Sequence, residues 1–146
     1  MRKILFASSE VHPLVKTGGL ADVSASLPLA LHEQGQDVRI VMPAYRACLM
    51  ALEGAVKVAS IKLDGYLLPI EILESRLPNS DLVLWLVNSP YHFDRDGGPY
   101  SQPDGDDWLD NAARFALFSR AIAAIAMNEA SLDWQPDILH CNDWQT

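Results

Sequence analysis

The stretch KILFASSEVHPLVKTGGLADVSASLPLALHEQGQDVRIVMP, residues 3–43, decides the fold of this chain. Its first part, residues 3–8, is a short apolar run typical of a buried strand. A loop over residues 10–18 follows, and apolar residues then recur at helical spacing. Residues 37–43 form a second apolar run. Strand, loop, helix and strand within about forty residues indicate a βαβ unit with a right-handed crossover.

The helix of this unit is predicted to end at Gly35. We expect Pro28 to bend it or to break one of its turns, because proline lacks the N–H that a helix interior needs. The residues that recur at helical spacing on its predicted apolar face are Leu20, Val23, Leu27, Ala30 and Leu31.

After this βαβ unit, the residue pattern in the middle of the chain predicts more strands. Residues 55–62 and 66–73 flank Asp64-Gly65, a dipeptide common in tight hairpins. Residues 81–87 are a nearly continuous apolar run, typical of a central strand. A long loop rich in proline, glycine and aspartate is predicted for residues 88–106.

The last third predicts a helix from Asp106 to about Ala130, with Asp106 and Asp107 at its N-terminal cap. A strand within residues 136–143 follows it. The fold class is therefore α/β, a Rossmann-like, mostly parallel sheet with flanking helices. Because no helix follows the last strand, we expect residues 1–146 to be part of a larger domain.

Composition narrows the class of protein. The 146 residues are 49% hydrophobic and 21% charged, with a net charge of −8, as in globular rather than disordered chains. An acidic balance argues against nucleic acid and against a membrane surface as partners. Two cysteines, Cys48 and Cys141, have no metal-binding spacing. We expect no metal, no cofactor and a reducing, cytoplasmic setting.

The first predicted strand is followed by a loop that could hold an anion. Free N–H groups at a helix start attract phosphate oxygens, and glycines allow a close approach. Asp22 could stabilise the helix dipole or accept hydroxyl protons. A plain turn leading into a helix explains the same residues equally well. The loop residues concerned are Lys16, Thr17, Gly18 and Gly19.

The last predicted strand leads into Asp143 and Trp144, an acid beside a broad aromatic face. Sugars commonly need that combination, although a core tryptophan beside a strand-end acid is an equal alternative. His140, earlier on the strand, fits a hydrogen-bonded core residue better than a ligand contact. If the strands are parallel, these residues share one sheet edge with the glycine loop. Tyr100, which follows the 81–87 strand, joins them there.

Several of these stretches together resemble one family. Residues 3–31, and in particular SEVHPLVKTGGLADV, resemble the amino terminus of bacterial glycogen synthases and plant starch synthases. The segments YHFDRDGGPY (91–100), DNAARFALFSRA (110–121) and PDILHCNDWQT (136–146) resemble later blocks of that family in the same order. Residues 44–80 match least.

The resemblance implies a retaining glycosyltransferase of the GT-B arrangement, with two Rossmann-like domains facing a cleft. Such enzymes transfer glucose from ADP-glucose to the non-reducing end of glycogen or another α-1,4-glucan. It implies that this chain is a partial N-terminal, acceptor-side domain. The C-terminal nucleotide-sugar domain would lie outside it. The isolated chain is then expected to be inactive, because the departing diphosphate needs compensating charge from that other domain.

The resemblance also implies roles for single residues. Asp22 would lie near the transferred sugar and is the candidate catalytic residue. The candidate substrate-binding residues are Lys16, Thr17, Gly18, Gly19, Tyr100, His140, Asp143 and Trp144. Asn142 departs from the family, which usually has a second histidine there. Asparagine can still bind, but it cannot titrate near neutrality.

Two other functions stay open at this point. A glucan-binding module without transfer activity would need Tyr100, Asp143 and Trp144 but no role for Lys16. A related glycosyltransferase with another donor would share the glycine loop, since that loop would meet phosphates rather than the base.

Overall fold

The computed structural model describes residues 1–146 and is organised around one six-stranded sheet. The strands are β1 (Lys3–Ala7), β2 (Asp37–Pro43), β3 (Val56–Ile61), β4 (Ile70–Arg76), β5 (Val83–Asn88) and β6 (Ile138–Cys141). The helices are α1 (Gly19–Glu33), α2 (Arg46–Ala51), α3 (Pro90–Phe93) and α4 (Asn111–Ala126).

The sheet has the strand order β3-β4-β5-β2-β1-β6. β1 pairs in parallel with β2 and with β6, and β2 pairs in parallel with β5. β4 pairs in antiparallel fashion with β3 and with β5. The predicted hairpin of β3 and β4 forms, but its second strand is Ile70–Arg76 rather than 66–73, so residues 62–69 make a longer connection than the expected tight turn. The predicted α/β class with a mostly parallel sheet is confirmed. The carboxyl ends of β1, β2, β5 and β6 therefore lie at one edge.

The core is built on the three central strands, β1, β2 and β5. Their side chains are almost continuously buried, as in Leu5, Ile40 and Trp85. This pattern is expected of parallel strands covered on both faces. Helices α1 and α4 both contact β2.

Helix α1 differs from its prediction in two respects. It runs unbroken through Pro28, so of the bend or broken turn expected at this proline the broken turn does not occur. Its buried residues are Ala21, Ser24 and Pro28, whereas Val23 is 49% exposed. Leu27 and Leu31 of the predicted apolar face are partly buried and pack against the core, whereas the fully buried positions of α1 carry small side chains or proline.

Helix α4 is shorter than predicted. It begins at Asn111 rather than near Asp106, and its N-cap residue is Asp110, whose side chain makes no capping hydrogen bond. Asp106 and Asp107 belong to the preceding turns, where Ser101 forms a bridge with Asp107. Phe115, Phe118 and Ile122 of α4 are buried in the core.

Candidate functional site

The glycine loop is anchored where β1 ends and α1 begins. The Ser24 hydroxyl in α1 donates to the Ser8 hydroxyl at 2.8 Å, and Ser8 in turn donates to the Glu10 carbonyl at 2.9 Å. The His12 amide donates to the Ala21 carbonyl at 3.1 Å. These bonds hold the loop against the first turns of α1.

Glu10 connects this loop to a distant part of the chain. Its side chain accepts hydrogen bonds from the Thr17 amide at 2.5 Å and from the Thr17 hydroxyl at 2.8 Å. It also accepts the Tyr100 hydroxyl at 2.6 Å. Glu10 is only 3% exposed, and acids are rarely buried unless such bonds satisfy them. One buried carboxylate therefore fixes Tyr100 beside the glycine loop.

The start of α1 is open. Gly18 is its N-cap residue in an extended conformation, and no side chain caps the first turn. A Cβ atom placed on Gly18 or Gly19 would have no neighbour within 4 Å. The first N–H groups of a helix have no partner inside the helix. This open, uncapped end can therefore receive an anion at close range.

Lys16 and Asp22 form an ion pair at this open end. The Lys16 Nζ lies 2.7 Å from one Asp22 oxygen and 2.9 Å from the other. About half of each side chain is exposed. Exposed pairs of this kind contribute little to stability, so a ligand can separate them at small cost.

Tyr100 joins the loop to the aromatic part of the site. Its hydroxyl donates to Glu10 and accepts from the Ser9 hydroxyl at 2.6 Å. Burial, followed by the hydrogen bond to Glu10, raises the pKa of Tyr100, so the phenol stays protonated. Its ring centroid lies 6.1 Å from that of Trp144.

Trp144 is a surface residue and not a core tryptophan. It is 61% exposed, and its edge contacts the Phe115 ring at 5.2 Å between centroids. Asp143 before it has a φ of 65°, in the left-handed region that non-glycine residues seldom adopt. Its Oδ1 accepts the Trp144 amide at 2.8 Å. The turn therefore presents both side chains at the end of β6.

His140 and Asn142 lie at the same end of the sheet, where each contacts a residue of β1. The His140 ring stacks on Phe6 of β1 at 4.7 Å, and the residue is partly buried. The Asn142 Nδ2 donates to the Ala7 carbonyl at 2.8 Å, which ties the end of β6 to the end of β1.

Contacts join Thr17 through Glu10 to Tyr100 and Trp144. Lys16 and Asp22 pair with each other at the open end of α1, and His140 stacks on Phe6.

The predicted loop over residues 10–18 includes Glu10, but neither Glu10 nor Ser9 was predicted to belong to the site. The signal that could have identified Glu10 is a carboxylate directly after a buried strand, where burial demands partners.

A mostly parallel sheet with flanking helices makes this an α/β domain, a class in which ligands usually bind at the carboxyl ends of the strands. Residues 3–146 match the model of the starch synthase catalytic domain family. The chain belongs to this family, as the resemblance predicted.

Individual proteins of similar sequence support the same family assignment. The chain is 55% identical to a glycogen synthase of Thioalkalivibrio sulfidiphilus, over 98% of this chain and 30% of the relative. It is 52% identical to glycogen synthase 2 of Nitrosococcus oceani, over 100% of this chain and 30% of the relative. The chain therefore spans about 30% of the length of the curated relatives it matches.

A solved structure supports the same assignment. The catalytic domain of starch synthase IV from Arabidopsis thaliana, bound to ADP and acarbose, superimposes with a TM-score of 0.73 at 29% identity. The match covers 99% of this chain and 28% of that one. None of the helices described above has the length and apolar character needed to cross a bilayer.

Proposed function

We propose that this chain is the acceptor-side part of a glycosyltransferase that moves glucose from ADP-glucose to the non-reducing end of an α-1,4-glucan, with retention. Its membership of the starch synthase family supports the reaction class. The Arabidopsis neighbour, bound to ADP and acarbose, supports a nucleotide and a glucan as ligands.

One observation carries the proposal. Glu10 bonds to both Thr17 and Tyr100, so the glycine loop and the aromatic surface at Trp144 belong to one rigid edge. In the proposal, a diphosphate binds the glycine loop and a glucan ring binds the aromatic surface at Trp144. A transferase must bring the two together.

The roles follow from the chemistry of each group. In the proposal, the diphosphate is bound by Lys16, Thr17 and the open amides at Gly18 and Gly19. When phosphate attracts Lys16, the weak ion pair opens and Asp22 is free to accept a hydrogen bond from a hydroxyl of the transferred glucose.

The glucan contacts are proposed for the other end of the edge. Trp144 offers an apolar face for a sugar ring, and Asp143 accepts hydrogen bonds from sugar hydroxyls. Tyr100 and His140 complete this surface. Asn142 is bonded to the Ala7 carbonyl and cannot titrate near neutrality, so it takes no proton-transfer role.

The remaining donor contacts are assigned to a second domain outside this chain, which makes residues 1–146 a partial N-terminal domain. We place the enzyme in the cytoplasm. Unpaired Cys48 and Cys141 support this setting, since disulfides are rare in reducing compartments.

Substitution of Lys16 tests the proposal in the full-length protein. Lys16→Ala is expected to raise KM for ADP-glucose about tenfold to a hundredfold while the fold survives, because a hydrogen bond to a charged group is lost. Lys57→Ala is the matched control, since Lys57 also forms an exposed ion pair, with Glu71 on the far strands. Glucan binding without transfer, and without any effect of Lys16→Ala, would favour a glucan-binding module instead.

A further inference from the structure

The backbone at Tyr100 is held by side chains from the start of α4. The Tyr100 carbonyl accepts a hydrogen bond from Asn111 Nδ2 at 2.9 Å and another from the Trp108 amide at 3.0 Å. The preceding carbonyl, of Pro99, accepts from Arg114 Nη1 at 2.8 Å. The loop between α3 and α4 is therefore fixed at the residue that reaches the glycine loop.

Asn111 and Arg114 act as one unit. They are three residues apart in α4, so their side chains lie on the same face of the helix. Arg114 Nη1 also donates to Asn111 Oδ1 at 2.7 Å, which leaves the Asn111 NH₂ group to face the Tyr100 carbonyl. Arg114 Nε donates to the His92 carbonyl at 2.7 Å, so the same side chain ties the loop to α3.

Arg114 is an unusual residue for this buried position. It is 1% exposed, and its hydrogen-bond acceptors are two carbonyls and an amide oxygen, all uncharged. Burial lowers the pKa of Arg114, as expected of a cation taken out of water. Buried charged groups can often be replaced by apolar side chains without loss of stability. The hydrogen bonds of Arg114, rather than its bulk, therefore distinguish it from an ordinary core residue.

Helix α4 also supports the aromatic part of the candidate site. The Phe115 ring lies 5.7 Å from the Tyr100 ring and 5.2 Å from the Trp144 ring, between centroids. Tyr100 is thus held at three points: its carbonyl by Asn111, its ring by Phe115 and its hydroxyl by Glu10. A shift of the carbonyl would move the ring relative to Trp144.

We propose that Asn111 and Arg114 are positioning residues for glucan binding. Arg114 orients the Asn111 side chain, and Asn111 fixes the backbone of Tyr100 so that its ring lies beside Trp144. These roles rest on the proposed function, in which Tyr100 and Trp144 belong to the glucan surface. Both residues act through Tyr100 and need no contact with the glucan.

Asn111→Asp separates positioning from stability. The new carboxylate still accepts from Arg114, and an acid is favourable in the first turn of a helix. It cannot donate to the Tyr100 carbonyl. That carbonyl keeps its bond from the Trp108 amide, so no buried acceptor is left unpaired. The full-length variant is therefore expected to fold with little change in Tm.

Titration calorimetry with maltoheptaose measures glucan affinity, and transfer assays give KM for the glucan and for ADP-glucose. Asn111→Asp is expected to weaken maltoheptaose binding and to raise the glucan KM, each about tenfold. The KM for ADP-glucose should not change, because Thr17 keeps its two bonds to Glu10. A smaller folded fraction alone would lower the apparent kcat and leave both KM values unchanged.

Arg114→Lys tests the other half of the unit. A single ammonium group cannot reproduce the planar fork with which arginine reaches several acceptors. This variant is expected to weaken maltoheptaose binding as well, with a lower Tm because buried carbonyls lose their donors.

Asn128→Asp is the matched control. It makes the same substitution at an exposed residue just beyond the other end of α4, about 25 Å from Asn111. Maltoheptaose affinity and both KM values should equal those of wild type.

A double-mutant cycle identifies the route of the effect. Tyr100→Phe removes the hydroxyl anchor and is expected to raise the glucan KM. Adding Asn111→Asp to it should raise that KM less than threefold further, because both changes release the same ring. Fully multiplicative effects, or equal maltoheptaose affinity in wild type and Asn111→Asp, would overturn the positioning role and leave the proposed function intact.

Failure of the proposed function gives a different result. Wild type would then bind maltoheptaose without transferring glucose to it, and weaker binding by Asn111→Asp would still support the positioning role. A wild type that binds no maltoheptaose would overturn both proposals.

Discussion

At the scale of single residues, the site depends on a carboxylate that is not itself on the surface. Glu10 accepts three hydrogen bonds, two from Thr17 and one from Tyr100. Glutamine at this position would bring an NH₂ group toward atoms that are themselves donors. The geometry of the edge therefore depends on both carboxylate oxygens of Glu10.

Glu10→Gln is accordingly expected to destabilise the protein by about 1–3 kcal/mol, the usual cost of leaving buried donors unsatisfied. Urea denaturation measures this directly. Glu33→Gln, at the exposed end of α1, is the control and should be neutral. Equal midpoints for wild type and Glu10→Gln would show that the network does not hold the loop.

The identity of Asp143 is restricted by its backbone conformation. With a φ of 65°, it adopts a conformation that asparagine also tolerates but alanine disfavours. We expect Asp143→Ala to cost about 1 kcal/mol of stability and Asp143→Asn to cost almost nothing. The asparagine variant should still weaken glucan binding, measured by affinity electrophoresis, because the carboxylate charge is gone. Unchanged glucan mobility for Asp143→Asn would remove Asp143 from the proposed site.

At the scale of elements, the strands followed from the sequence more accurately than the helix details did. The 37–43 strand was predicted with the observed bounds because its apolar run is framed by Gly35 and Pro43. Helix α2 was not predicted, because six residues without a capping side chain give little periodic signal. The buried side of α1 depends on how closely the helix lies to its neighbours, which one sequence does not reveal.

The junction of glycine loop and helix α1 offers a test that separates folding from binding. Nothing lies within 4 Å of a Cβ placed on Gly19. Alanine also has the higher helix propensity. Gly19→Ala should therefore leave stability unchanged or slightly higher, yet raise KM for ADP-glucose about tenfold by blocking close approach to the amides.

Gly35→Ala is the control, and the opposite pair of effects is expected for it. Gly35 has a φ of 82° after the end of α1, so alanine should cost about 1 kcal/mol of stability without changing KM. If Gly19→Ala left donor kinetics unchanged, the open helix end would have no part in binding phosphate.

At the scale of the whole molecule, the parallel pairing of β1, β2, β5 and β6 makes segments far apart in sequence neighbours at one edge. The sequence predicted that convergence from strand ends alone. It did not predict the contacts that create it, because Glu10, Tyr100 and Trp144 meet only after loops of irregular structure have folded. Loop geometry has no periodic signal.

The distribution of charge at this edge leads to a prediction about the 146-residue polypeptide. Lys16 is the cation of the glycine loop, and Asp22 already pairs with it. One paired cation gives little stabilisation to a departing diphosphate. Incubated with radiolabelled ADP-glucose and glycogen, the polypeptide is expected to incorporate no glucose, whereas the full-length protein serves as the positive control. Incorporation by the polypeptide would show that residues 1–146 suffice for transfer.

The central claim is that the glycine loop and the Trp144 surface bind the two reactants at a single edge. A crystal structure of the full-length protein with ADP and a maltooligosaccharide measures this most directly. We predict the diphosphate at about 3 Å from the Gly18 or Gly19 amide and from the Lys16 Nζ, with a sugar ring against Trp144. Ligands bound on another face, with the loop and Trp144 unoccupied, would contradict the account.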